Sequence, residues 1–116
     1  MNLIECYNAL GGNYEDVLRR LTSERLVKKF AVRFLDDKSY ELLETSLSEN
    51  NIDEAFRAAH TIKGVCANLG FDTLLHSSSD MTEALREGNI DKANELFQTV
   101  TEDYLLTINS IKALDD

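Results

Sequence analysis

The sequence predicts an all-α protein: an antiparallel up-down four-helix bundle with short extra helices at its N-terminus. Proline is absent and only five glycines occur in 116 residues, so little would interrupt a helix. Apolar residues recur three and four apart, while no stretch alternates apolar and polar residues for long. Strand-like segments do not alternate with helical ones, as an α/β enzyme requires.

Leu3 to Leu10 reads as a first short helix, punctuated by Gly11-Gly12, and Tyr14 to Leu21 as a second. Ser23 is the type of residue that caps a helix start. Glu24 to Leu35 follows it, with Leu26, Val27, Phe30 and Phe34 three and four apart. Ser39 repeats the capping cue ahead of Tyr40 to Glu49, whose core edge is Leu43 and Leu47. Asn50-Asn51 ends that helix. Asp53 starts the next, which runs to Leu69 and stops at Gly70, a natural left-handed C-cap. Asp72 or Thr73 caps a further helix with Leu74, Ser78, Met81 and Leu85 on one face. Gly88-Asn89 turns the chain into a long final helix, Asp91 to Leu114. There Ala93, Phe97, Val100, Tyr104 and Ile111 keep close to a heptad stripe. No repeat or low-complexity tract divides the chain, so residues 1–116 are expected to form a single domain.

Charge and composition remove several functional classes. The 43% hydrophobic content supports one core, not two layers around a cofactor cleft. The formal net charge of −9 provides no basic stripe to replace phosphate counterions, so nucleic acid is not an expected partner. It equally disfavours an anionic membrane surface. No apolar run approaches the roughly 20 residues that span a bilayer, and Met1-Asn2-Leu3-Ile4-Glu5 lacks the basic start of a secretory signal. Cys6 and Cys66 are far apart and form no C-x-x-C pair. A reduced, cytoplasmic, monomeric protein is the expectation.

The informative segment is Asp53 to Gly70. On a helical wheel at about 100° per residue, Ala55, Ala58, Ala59, Ile62, Val65, Cys66 and Leu69 make one apolar stripe. His60 then points roughly 160° from the middle of that stripe, into solvent. Gly64 lies one turn on and Ala67 two turns on. An interior glycine costs a helix about 1 kcal/mol relative to alanine, and close approach of another body is one reason to carry it. Phe56, one turn before His60, also lies off the core stripe and reads as an exposed aromatic on a docking surface. Lys63, three residues after His60, can reach a group on the imidazole. Neutral imidazole is a good nucleophile near pH 7, its unperturbed pKa being about 6.5. A phosphoryl group on it would be negative, and phosphoryl transfer depends mainly on positioning and charge stabilisation. His76 also faces outward but lacks a glycine or lysine at matching spacings, so it reads as an ordinary surface histidine. Cys66 reads as a small buried apolar residue. The two histidines are too far apart in sequence for a metal motif.

His60-Thr61-Ile62-Lys63-Gly64, followed by Leu69-Gly70-Phe71 and preceded by Ala58-Ala59, closely resembles the signature of histidine-containing phosphotransfer (HPt) domains. The likeness extends more weakly from about Gly12 to Leu114. It implies a helical bundle in which His60 accepts a phosphoryl group from a receiver-domain aspartate and passes it to another. It also implies that Lys63 stabilises the phosphoryl charge and that Gly64 leaves room for the receiver. Phe56, Arg57 and Ala67 complete the candidate docking set. The family often places a glutamine on the adjacent helix to hold the histidine. Thr82 occupies the equivalent place here, a departure that makes it the candidate orienting residue. The resemblance places magnesium on the partner receiver, with no cofactor on this chain. The chain has no nucleotide-binding segment such as a P-loop, so it is not expected to phosphorylate itself from ATP. Expected partners are response-regulator receiver domains and a sensor histidine kinase. Two alternatives stand beside this reading: a receiver-docking module that is never phosphorylated, and the phospho-accepting domain of a chemotaxis-type histidine kinase. The start at Met1 and the lack of a C-terminal linker favour a free-standing protein over the second.

Overall fold

The computed structural model describes residues 1–115, and they are helical throughout with no strand among them. Seven α-helices follow in order: α1 (Leu3–Leu10), α2 (Tyr14–Leu21), α3 (Glu24–Arg33), α4 (Ser39–Ser48), α5 (Ile52–Leu69), α6 (Asp72–Arg86) and α7 (Ile90–Lys112). A 3-10 turn, Phe34–Asp36, extends α3. Short connections join the last four helices, and each packs on its successor, most extensively α5 on α6. The long final helix also carries α1 against it.

The α5–α6 contact follows from side-chain size. Ala55, Ala58 and Ala59 of α5 and Ser78 and Ala84 of α6 are all buried, and such small residues let two backbones come close. The buried hydroxyls cost little, because each bonds to its own helix. Ser78 Oγ donates to the Leu74 carbonyl at 2.7 Å and Thr82 Oγ1 to the Ser78 carbonyl at 2.7 Å. The expected core faces are buried on α4 (Leu43, Leu47), on α6 (Leu74, Ser78, Met81, Leu85) and at Ala93, Val100 and Ile111 of α7. On α5 the stripe is buried except Val65, which is half-exposed. Phe97 and Tyr104 of α7 are half-buried. They belong to a run of aromatic contacts that ties the accessory helices to the rest. Tyr14, Tyr7, Phe71, Phe34, Tyr104, Tyr40 and Phe97 touch in sequence, with centroid separations from 4.0 to 6.1 Å.

Several helix boundaries differ from expectation, each for a local reason. Ser39 is not a cap but the first residue of α4. Its amide donates to the Asp37 carboxylate at 2.8 Å, so the aspartate two residues earlier serves the helix start. Neither Asp72 nor Thr73 caps α6. That helix starts at Asp72 after Phe71, with no side-chain cap, and the Thr73 hydroxyl bonds to the Gly11 carbonyl instead. The third helix ends at Arg33 rather than Leu35, because the last residues tighten into the 3-10 turn. Asn51, read as part of a helix end, is the N-cap of α5 and accepts from the Glu54 amide at 3.2 Å. Asn2, Asn13 and Asn89 cap helices in the same way.

Candidate functional site

The site helix α5 is anchored at both ends before it presents any chemistry. At its start, Asn51 caps it and Asp53 and Glu54 place negative charge against the positive end of the helix dipole. At its end, the unpaired carbonyls of the last turn are taken up by the N-terminal helices. Arg20 donates to the Ala67 carbonyl at 3.1 Å, Tyr7 Oη to Leu69 at 2.7 Å and the Asn13 amide to Gly70 at 2.8 Å. Gly70 has φ +70°, and a Cβ there would meet the Asn13 carbonyl oxygen at 2.9 Å, so glycine is required on both counts.

Between these anchors His60 stands exposed on the face opposite the buried stripe. Its ring lies parallel to that of Phe56, with centroids 5.8 Å apart and planes 5° from each other. Phe56 is half-buried rather than exposed, because the Arg86 guanidinium of α6 sits 5.1 Å from its ring centroid. The imidazole is therefore backed by an aromatic that is itself covered by a cation. Lys63 is half-exposed, and no carboxylate lies within ion-pair distance of it among the described residues. Gly64 is exposed, and a Cβ added there would meet no atom within 4 Å. Ala67 is exposed on the same face. Arg57 is exposed and bonds to Glu54 at 2.9 Å, so its charge is partly answered within its own helix.

No hydrogen bond links Thr82 to His60 among the described residues. Thr82 is fully buried and gives its hydroxyl proton to Ser78, whereas the imidazole stands in solvent. His76 is a surface residue of α6, 3.8 Å from the Asp80 carboxylate one turn on. Cys66 lies in the core, as expected, and burial pushes its thiol well above the ordinary range. The residues that sequence reasoning missed are Arg86 and Arg20. Both reach α5 from other helices, and no spacing within α5 could have pointed to them.

An exposed histidine, a lysine three residues on and an open glycine thus share one side of α5 in an all-helical bundle. The sequence profile of the Hpt domain matches residues 37–115, more than half of the chain, and the chain belongs to that family, the phosphohistidine-carrying phosphotransfer domains of two-component signalling. The match begins within the turn before α4, so α1 to α3 lie outside it. Among curated proteins, the chain is similar to the chemotaxis protein CheA of Halobacterium salinarum, 31% identical over 74 residues, 61% of this chain and 11% of that protein. It is also similar to the chemotaxis protein CheA of Borreliella burgdorferi, 35% identical over 68 residues, 56% of this chain and 8% of that protein. The chain thus spans about a tenth of the length of these relatives. No solved structure matches it significantly.

Proposed function

We propose that His60 is the phosphoryl acceptor and that this chain relays a phosphoryl group between receiver-domain aspartates. The observation that carries this reading is His60 itself: solvent-facing, stacked on Phe56, with an uncommitted lysine three residues on and an unfilled space at Gly64. In the forward step an imidazole nitrogen attacks the phosphorus of an aspartyl phosphate. The N–P bond forms, the P–O bond to the carboxylate breaks, and the carboxylate leaves with the bonding electrons. Lys63 offsets the charge on the transferred group, and the reverse sequence unloads His60 onto the next receiver. Magnesium belongs to the receiver's acidic cluster in this scheme, and ATP is consumed elsewhere, by a histidine kinase. Gly64, Ala67, Phe56 and Arg57 surround the approach path. The Thr82 hydroxyl is left out of the scheme, since it is spent on Ser78. The packing of α4 through α7, each on its neighbour, supports the antiparallel up-down arrangement of these four helices.

The test is incubation with a phosphorylated receiver, followed by mass mapping of the label. Label on a His60 peptide, absent from His60→Gln, is expected. Binding of the receiver without label would favour a docking module. Label obtained only from an ATP-bound kinase domain, with no exchange with any receiver, would favour the chemotaxis-kinase alternative.

A further inference from the structure

Two histidines stand exposed on this chain, and their surroundings differ. His76 lies 3.8 Å from the Asp80 carboxylate, and an aspartate, Asp72, stands four residues before it. His60 has no hydrogen-bond partner and no carboxylate within ion-pair distance among the described residues. Thr82, on the neighbouring helix, spends its hydroxyl on Ser78. What lies against the imidazole is a ring. Phe56, four residues earlier, is parallel to it within 5°, with centroids 5.8 Å apart. Favourable aromatic pairs have centroids roughly 4.5–7 Å apart, and residues four apart share one face of a helix.

Phe56 is itself held in place. It stands outside the aromatic run from Tyr14 to Phe97, and it is half-buried and packed against the core. The guanidinium of Arg86, the last residue of α6, sits over its ring, 5.1 Å from the centroid. That is inside the roughly 6 Å reach of a cation–π contact. Arg86 Nε in turn donates to the Glu83 carboxylate at 3.3 Å. A line of contacts thus runs from Glu83 through Arg86 and Phe56 to His60.

An exposed side chain without such contacts exchanges among its staggered rotamers on the picosecond-to-nanosecond scale. Transfer from a bound aspartyl phosphate needs an imidazole nitrogen aimed at the phosphorus, and a small misplacement lowers the rate. A parallel neighbour sets the plane of the imidazole without occupying either ring nitrogen. Both nitrogens stay available for the phosphoryl group and the proton.

We infer that Phe56 is a positioning residue that orients the His60 imidazole by stacking, in place of a hydrogen bond, and that Arg86 acts one step further out by holding Phe56. The inference rests on His60 being the phosphoryl acceptor. It gives Phe56 a task distinct from docking. A docking contact strengthens the complex, whereas a positioning contact speeds transfer inside it. Arg86 is committed to Phe56 and Glu83, so its charge serves the ring and not the phosphoryl group.

The experiment compares wild type with Phe56→Leu, Phe56→Tyr, Arg86→Met and Arg86→Lys. The readouts are the NMR shifts of the histidine ring protons, receiver affinity, labelling of His60 by phosphoramidate, and single-turnover transfer within the saturated receiver complex. The His60 ring resonances are expected to move in Phe56→Leu, because the ring current of the phenyl is lost, and to move less in Arg86→Met. They stay in place in Arg86→Lys, and the His76 resonances stay in place in every variant. Transfer at saturation falls about tenfold in Phe56→Leu and about threefold in Arg86→Met, and the conservative variants stay within about twofold of wild type. Affinity and phosphoramidate labelling stay within about threefold throughout, since a freely diffusing donor meets the imidazole in any orientation. Weaker binding by Phe56→Leu with unchanged transfer at saturation makes Phe56 a docking contact and overturns the inference. An equal fall in phosphoramidate labelling, or a loss in Phe56→Tyr as large as in Phe56→Leu, overturns it too. If Phe56→Leu does not fold, Arg86→Met decides, since Arg86 is exposed. Wild-type protein that accepts nothing from any receiver or from phosphoramidate overturns the assignment of His60 and this inference together, whereas wild-type transfer by Phe56→Leu overturns this inference alone.

Discussion

In the relay we propose, a histidine, a lysine and a glycine at spacings of three and four carry the chemistry, and each has a different physical task. The outward direction of His60 was legible because it depends only on the helical period and the apolar stripe, and both are local. Its stacking on Phe56 and the cover from Arg86 were not, since Arg86 comes from α6. Lys63→Ala is expected to slow transfer several-fold without weakening receiver binding. The group is half-exposed, so screening keeps the effect modest. Rates at low and high salt check this, and a wild-type advantage that did not shrink with salt would contradict a simple electrostatic role. Thr82→Val is expected to leave transfer within about twofold of wild type, because its hydroxyl serves Ser78. A tenfold loss in single-turnover transfer would mean that Thr82 reaches the imidazole after all.

At the scale of the element, α5 is a helix held at its ends so that its middle can be left bare. The stop at Gly70 was legible, because a glycine after a periodic run is the common signal for a left-handed cap. The starts are less legible. Asn50-Asn51 reads as a helix end, yet Asn51 caps the next helix, and Ser39 reads as a cap, yet it is the first residue of α4 and its own amide bonds to Asp37. These errors share a cause: Asn, Asp and Ser have the same local chemistry, and register decides which of them points at the amides. The Gly64 position tests the design of the bare middle. Gly64→Ala is expected to raise stability by up to about 1 kcal/mol, since alanine is the better helix former and nothing obstructs a Cβ there. Gly64→Leu is expected to stay folded and to lose transfer from a receiver by at least tenfold, while phosphoramidate labelling of His60 changes little. Thermal melts and single-turnover transfer measure the two effects. Wild-type transfer by Gly64→Leu would show that the receiver does not approach over this turn.

Across the whole molecule, the helical class and the core faces followed from periodicity, but the role of the first 36 residues did not. Their helices cap the end of α5 through Tyr7, Asn13 and Arg20 and fasten themselves through the aromatic run, contacts that link residues as far apart as Phe34 and Tyr104. The same burial makes the fold sensitive to alkaline pH. It raises the Cys66 thiol and the Tyr7 phenol above their ordinary values of 9.0 and 10.0. The unfolded chain loses these protons at lower pH than the folded chain, so their stabilising contribution is complete below pH 9.0 and declines as the pH rises past 9.0 to 10.0. The urea midpoint is expected to fall across that interval, and a midpoint that rose there would contradict the burial of both groups. The most direct measurement concerns His60. A phosphorylated receiver is mixed with wild type, His60→Gln and His76→Gln, and the label is located by mass while circular dichroism reports the fold. The result expected is one phosphoryl group on His60 in wild type and His76→Gln, none in His60→Gln, and equal helical content in all three. Label retained in His60→Gln, or lost together with the helical signal, would contradict the assignment of this exposed histidine as the phosphoryl carrier.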